Sequence, residues 1–218
     1  MTFHGAVFDL DGVVVDTAKY HFLAWRRLAR ELGFEFTEKD NERLKGVSRM
    51  RSLDILLEVG GVDFPEAQKA VFAERKNGWY VEYLKEMGPE ELLPGSVALL
   101  ERLRAAGVPT ALATASRNSP LILERLGIRD RFDFVADGTN VTKAKPDPAV
   151  FLYAAEGIRV PPAQCLVFED AAAGVEAAHR AGMKAIGVGR REDLPEADAI
   201  VTGLAAFDPA PWFDLRGK

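Results

Sequence analysis

The sequence predicts an α/β protein, a doubly wound parallel sheet interrupted by one wholly helical lobe. Three observations carry that expectation. Short apolar runs of strand length recur along the chain, and helical patterns lie between most of them. One long region near the N-terminus holds helical patterns with no convincing strand. The first apolar run, Ala6-Val7-Phe8, ends on two acids, Asp9 and Asp11, and Asp11-Gly12 reads as the turn that stops it. If the backbone is still extended at Asp9, side chains two apart point the same way, so the two carboxylates converge beyond the strand. Two ionised acids so close repel each other, and a stable fold must offset them with a divalent metal, a lysine or a phosphate-handling site.

The remaining strands are expected at Thr110–Ala115, Phe134–Ala136, Leu166–Phe168, Ala185–Val188 and Ala199–Val201. A helix is expected over Val97–Ala106, entered through Pro94-Gly95-Ser96 and closed by Gly107. Two more run over Pro120–Leu126 and Ala171–Ala181, closed by Gly127 and Gly182, as suits a left-handed residue at a helix C-terminus. The helical region runs from Thr17 to about Leu93, with helices expected at Ala18–Leu32, Arg49–Val59 and Glu66–Met87. The domain division expected is therefore residues 1–16 with 92–218 as the core and 17–91 as an inserted lobe. Ligands of open α/β sheets bind beyond the carboxyl ends of the strands, so a lobe inserted after strand one is expected to lie over that edge as a lid.

Length and composition narrow the function classes. The chain has 218 residues and a net charge of −5, which argues against nucleic acid as a partner. The single cysteine, Cys165, heads an apolar run and reads as a small buried hydrophobe rather than part of a disulfide framework. No apolar run approaches the length of a membrane span, and the N-terminus enters a strand without a signal-peptide pattern. A cytoplasmic monomer with no membrane partner is the expectation.

Chemistry-bearing residues gather at the expected strand ends. Asp9 and Asp11 follow strand one, and Thr114, Ala115, Ser116, Arg117 and Asn118 follow strand two. Lys145-Pro146 lies in the loop after strand three, and Glu169-Asp170 follows strand four. In a parallel sheet these meet at one edge. They offer carboxylates for a hard cation, a hydroxyl and backbone amides for an anion, and a fixed positive charge. Magnesium prefers carboxylates with water and phosphate oxygens, and phosphoryl transfer needs positioning and charge cancellation.

Asp9-Leu10-Asp11-Gly12-Val13, Thr114, Lys145-Pro146 and Glu169-Asp170, in that order, resemble the haloacid dehalogenase superfamily over essentially the whole chain. Asp16-Thr17-Ala18 with His21 and Ala24-Trp25, then Leu44-Lys45-Gly46-Val47-Ser48-Arg49 with Ser52-Leu53, and Arg75-Lys76-Asn77 point more narrowly to its sugar phosphomutases. The resemblance implies a Rossmann-like parallel sheet core with an inserted all-helical cap domain. It implies interconversion of β-glucose 1-phosphate and glucose 6-phosphate through a 1,6-bisphosphate. Two alternatives stand beside it: a sugar-phosphate phosphatase on the same scaffold, and a non-catalytic sugar-phosphate sensor.

By the same resemblance, Asp9 is the nucleophile and Asp11 the general acid and base. Magnesium is held by the Asp9 and Asp170 side chains and the Asp11 carbonyl, with Glu169 a further candidate. Thr114, the Ala115 amide and Lys145 hold the transferring phosphoryl group, with Ser116, Arg117 and Asn118 on the core side. A lysine-proline bond in this position is often cis in similar proteins. Gly46-Val47-Ser48 precedes a helical pattern, where backbone amides favour anions, and Arg49, Ser52, Lys45 and Lys76 would complete a second phosphate site.

Plainer readings compete. Thr17 suits an N-cap. His21 lies on the helical stripe His21, Trp25, Leu28, Leu32, so packing on Trp25 competes with orienting Asp11 or the sugar. Lys45, Arg49 and Lys76 also fit a solvated basic face, and Lys143 rivals Lys145. Trp79, Tyr80, Tyr83 and Leu84 read as cap-core packing. His4 and His179 read as structural or exposed, and the loop Gly138 to Thr142 matches no known pattern.

Overall fold

The computed structural model describes residues 2–44 and 47–216. The chain divides into two compact units, Met1–Asp16 with Gly88–Lys218, and Thr17–Met87. The second boundary falls after Met87 rather than after residue 91, because the 88–93 segment is tied to the first. The Asp16 amide donates to the Glu91 carbonyl at 3.0 Å and the Leu93 amide to the Val14 carbonyl at 3.0 Å.

The larger unit is built on a fully parallel sheet: β1 (Gly5–Phe8), β2 (Thr110–Ala113), β3 (Phe134–Ala136), β4 (Cys165–Glu169), β5 (Lys184–Val188) and β6 (Ala199–Val201). Their order is β3-β2-β1-β4-β5-β6. Every residue of β1, β2 and β4 is buried, which is why these strands read as unbroken apolar runs and not as alternating patterns. The chain leaves β1 toward β2 on one side and β4 on the other, so the crevice for ligands opens at the carboxyl end of β1. Register decides what lines it. Phe8 pairs with Phe168, their rings stacked 4.6 Å apart, so the next residues, Asp9 and Glu169, emerge side by side. The Asp9 amide still donates to the Phe168 carbonyl at 2.9 Å, extending the ladder one residue past β1.

The smaller unit is wholly helical: α1 (Ala18–Glu31), α2 (Glu38–Asn41), α3 (Arg49–Gly60) and α4 (Glu66–Leu84). Helix α1 buries Tyr20, Ala24, Trp25, Leu28 and Ala29, a stripe at helical spacing. Trp25, Leu28 and Ala29 of that stripe pack with Phe36, Leu53, Leu56, Leu57 and Phe72 into one core, where each buried leucine contributes roughly 2 kcal/mol. The short α2 holds its shape through a capping box between Thr37 and Asp40. Helix α3 starts on Ser48, whose hydroxyl accepts from the Arg51 amide at 3.3 Å, and stops at Gly61 in the left-handed conformation. Helix α4 ends at Leu84, short of Met87, in a turn rather than a further helical residue.

The larger unit also carries α5 (Ser96–Ala105), α6 (Ser119–Leu126), α7 (Ala149–Gly157) and α8 (Ala172–Arg180). Helix α7 was not anticipated. Its sequence is so uniformly apolar that no amphipathic stripe marks it, and Val150, Phe151, Ala154 and Ala155 are all buried. Between β5 and β6 the described chain forms no regular helix. Strand β2 ends at Ala113, not Ala115, because the Thr114 side chain turns the chain by accepting from the Ser116 amide at 3.1 Å.

The loop entering α5 depends on one glycine. Gly95 has φ +86°, and a Cβ there would lie 2.2 Å from the Ala205 backbone nitrogen. Replacing Gly95 by alanine combines strain with a backbone collision, so Gly95→Ala is expected to destabilise the larger unit by about 2–4 kcal/mol. Urea unfolding followed by circular dichroism measures it, and an unchanged midpoint would count against the tight packing described for this loop.

Candidate active site

The sheet brings four predicted residues into one buried cluster. Lys145, 8% exposed, donates to Asp9 Oδ1 at 2.5 Å, to Glu169 Oε2 at 2.8 Å and to the Ala113 carbonyl at 3.2 Å. One ammonium group thereby joins the ends of β1, β2 and β4. The other Glu169 oxygen, Oε1, accepts from the Ala171 amide at 3.2 Å, so both oxygens of this carboxylate are engaged. Of the two candidate lysines, Lys145 occupies the cluster, while Lys143 is exposed beside Asp147 at 3.5 Å. The Lys145-Pro146 peptide is cis.

Asp170 completes the acidic set. Carboxylate oxygens of Asp9, Glu169 and Asp170 lie within 4.8 Å of one another. Two glycines make the space. Gly12 has φ +80° and a Cβ there would fall 2.0 Å from Asp170 Oδ2, and a Cβ on Gly174 in α8 would fall 2.0 Å from Glu169 Cδ. Gly12 was legible as a turn residue. Gly174 falls inside an expected helix, and nothing local in the sequence marks its role.

The cluster holds more negative charge than its lysine offsets. Burial disfavours the Lys145 ammonium, but the charges of Asp9 and Glu169 outweigh it and raise the lysine pKa. Burial pushes Glu169 up to about 7, against the opposing pull of Lys145. Burial also pushes Asp170 up to about 8, helped by the charges of Glu169 and Asp9 and, at a smaller level, Asp11. Three converging carboxylates that resist ionising together are a donor set suited to a hard divalent cation such as magnesium. Asp11 itself is part-buried in the turn after β1, where the Gly12 amide donates to the Val15 carbonyl at 2.8 Å.

The loop after β2 is built from local hydrogen bonds. Thr114 is buried, and its amide donates to the Ala136 carbonyl at 3.0 Å. The Asn118 amide donates to Ser116 Oγ at 3.2 Å. Ser116 and Asn118 are half-buried, whereas Ala115 and Arg117 are exposed. This loop connects to the carboxylates through the Ala113 carbonyl that Lys145 holds.

The helical unit holds the other predicted residues. Lys45 and Gly46 lie outside the described residues. Val47 is half-buried, and Ser52 is buried in the first turns of α3. Arg49 donates to Asn77 Oδ1 at 2.9 Å and sits 3.6 Å from Glu74. Lys76 does not lie on a solvated face. It is 3% exposed, 4.6 Å over the rings of both Trp25 and Tyr80, and 2.8 Å from His21 Nδ1. A lysine ammonium only donates, so Nδ1 accepts and the neutral His21 ring carries its proton on Nε2. Burial, then the charges of Lys76 and Arg49, hold His21 well below the usual histidine range. Its ring stacks on Tyr80 at 4.1 Å, a partner the helical stripe of α1 alone does not reveal. Thr17 is buried at the N-cap position of α1, but its side chain does not cap the helix, because the backbone there is already helical (φ −102°, ψ −3°). Cys165 is buried, and desolvation pushes its thiol up to about 12, as suits an inert core residue. His179 is exposed and 2.9 Å from Asp198.

A parallel sheet with acids and a lysine at the carboxyl end of its first strand, and a helical insertion after that strand, defines a phosphoryl-transfer class of α/β proteins. The family model for haloacid dehalogenase-like hydrolases matches residues 3–182, and the chain belongs to that family. It is 45% identical to a β-phosphoglucomutase of Bacillus subtilis, over 89% of this chain and 87% of the relative's. The crystal structure of a β-phosphoglucomutase from Clostridium difficile superposes with a TM-score of 0.88 at 41% identity, covering 95% of this chain and 94% of that one. A phosphorylated carbohydrates phosphatase of Thermotoga maritima is 36% identical over 83% of this chain and 82% of its own.

The Gly174 clearance makes a test of the cluster's geometry. Gly174→Ala forces the Glu169 carboxylate off Lys145, and magnesium affinity is expected to fall about tenfold or more, as when an outer partner of a metal site is lost. Calorimetric titration of the folded variant reads this directly, and wild-type affinity would show that the Glu169 position does not matter to the cation.

Proposed function

We propose that this enzyme is a β-phosphoglucomutase, interconverting β-glucose 1-phosphate and glucose 6-phosphate through glucose 1,6-bisphosphate. The observation that carries the reading is the identity of 45% to a β-phosphoglucomutase across most of both chains, with Asp9, Asp11, Lys145 and Asp170 all present. A second reading, a sugar-phosphate phosphatase, is favoured by the 36% identity to a phosphorylated carbohydrates phosphatase. Both use the same first step and differ in what accepts the phosphoryl group.

In that first step one Asp9 oxygen attacks phosphorus, and the bond from phosphorus to the departing sugar oxygen breaks. A carboxylate is ionised at neutral pH and needs no base to activate it. Oδ1 of Asp9 is bound to Lys145, so attack falls to Oδ2. Asp11 gives its proton to the departing oxygen. In the second step the free hydroxyl of a bound glucose monophosphate returns a proton to Asp11 and takes the phosphoryl group from Asp9, which regenerates the bisphosphate and restores both residues. Thr114, the Ala115 amide, Ser116 and Lys145 meet the charge on the transferring oxygens. Magnesium, held by Asp9 and Asp170 with the Asp11 carbonyl, would neutralise charge on the transferring group. Glu169 acts beside them chiefly by holding Lys145.

A mutase works on a bisphosphate, which carries two dianionic groups. The larger unit supplies one set of anion-handling groups. The helical unit has Arg49, Ser52 and Lys76, and His21 with Nε2 as a donor for a sugar oxygen. A phosphatase has less need for the second set.

Supplying β-glucose 1-phosphate, magnesium and a trace of the 1,6-bisphosphate, then measuring glucose 6-phosphate and free phosphate separately, tests the assignment. Glucose 6-phosphate is expected as the main product, and Asp9→Asn is expected to abolish turnover in a folded protein. Free phosphate as the main product would move the assignment to the phosphatase.

A further inference from the structure

The five residues that follow β3, Asp137-Gly138-Thr139-Asn140-Val141, form a loop folded around a buried acid. Asp137 is 3% exposed. Its Oδ2 accepts from the Ser119 hydroxyl at 2.5 Å, and its Oδ1 accepts from the Thr139 amide at 2.9 Å and the Thr139 hydroxyl at 2.6 Å. The Asp137 amide donates to Asn140 Oδ1 at 2.8 Å, and its carbonyl accepts from the Asn140 and Val141 amides at 3.1 and 2.8 Å. A buried carboxylate is costly unless donors meet it, and here three do.

Ser119 is the first residue of α6, and the segment between it and β2 is Thr114 to Asn118. That segment is fastened to the end of β3 at its start, to the Asp137 loop in its middle, and to Asp137 itself through the residue that follows it. The Thr114 amide donates to the Ala136 carbonyl at 3.0 Å, and the Gly138 amide donates to the Ser116 carbonyl at 3.2 Å. Ser119 closes the far end through its hydroxyl on Asp137. The two loops touch with no room for a side chain, since a Cβ at Gly138 would lie 2.5 Å from the Ala115 carbonyl oxygen.

We infer that Asp137 is a positioning residue for the transferring phosphoryl group, holding Thr114, Ala115 and Ser116 in place through Ser119 and Gly138. The inference rests on assigning that loop to phosphoryl binding, and it applies to mutase and phosphatase alike. Donors that stabilise developing charge work only if held in place beforehand, and a displacement of about 1 Å costs on the order of 100-fold in rate. Ala115 is exposed, and the bonds within the segment, Ser116 amide to Thr114 Oγ1 and Asn118 amide to Ser116 Oγ, fix the shape of the turn but not its place against the sheet. The loop's rigidity therefore comes from the structure behind it.

The test compares Asp137→Ala, Asp137→Asn and Ser119→Ala for vanadate binding in the presence of magnesium, for kcat and KM, and for thermal unfolding. Asp137→Ala and Ser119→Ala are expected to remain folded, to weaken vanadate binding about tenfold or more, and to lower kcat more than they raise KM. Asp137→Asn should recover most of the binding. Its oxygen still accepts from Thr139, and its amide donates to the Ser119 hydroxyl, which is both donor and acceptor. If Asp137→Ala does not fold, Ser119→Ala decides alone. Wild-type vanadate affinity in the folded Ser119→Ala protein would overturn the inference, as would an Asp137→Asn protein as impaired as the alanine variant. A wild-type enzyme that released free phosphate would instead overturn the mutase reading, and it would leave this comparison intact.

Discussion

A single ammonium group, that of Lys145, sits between Asp9 and Glu169 in the interior of the larger unit, and the rest of the site depends on that contact. The lysine arrives from the loop after β3, while its partners stand on β1 and β4 and its third acceptor on β2. Only the parallel sheet, with β1 between β2 and β4, brings these ends together. The Phe8–Phe168 register fixes which side chains emerge there. A slip of one residue in either strand would turn its acid to the opposite face from the other's.

The pairing leaves a charge imbalance that shapes everything nearby. One lysine cannot neutralise Asp9, Glu169 and Asp170, so burial and mutual repulsion hold the last two up to about 7 and about 8. Such a site is short of positive charge. The helical unit shows the opposite balance. There Lys76 is buried beside a neutral histidine and two aromatic faces, with Arg49 adding positive charge to the same field. The two units therefore differ in the sign of the charge that their buried groups leave unbalanced.

Much of this was legible in the sequence, for identifiable reasons. Asp9, Glu169 and Asp170 follow apolar runs directly, so strand position and function coincided in one local pattern. The proline after Lys145 favours it over Lys143, and the structure agrees, although the path of the loop finally decides which lysine enters the interior. His21 was placed on the correct helix but with Trp25 as its neighbour; its actual stacking partner, Tyr80, belongs to a different helix and is fixed by tertiary packing. Helix α7 was missed because its apolar residues cover every side. Gly174 and Asp137 were overlooked because each matters through a distant residue, the first by clearance for Glu169 and the second by its bond to Ser119.

The central claim is that the buried lysine leaves a carboxylate cluster still short of positive charge. Calorimetric titration of the protein with magnesium near neutral pH, in two buffers of different ionisation enthalpy, tests it most directly. The account predicts one ion bound per chain with a net release of protons, because burial raises the pKa of Glu169 and Asp170 and a cation beside them lowers it again. Binding without proton release, or no binding at all, would contradict it.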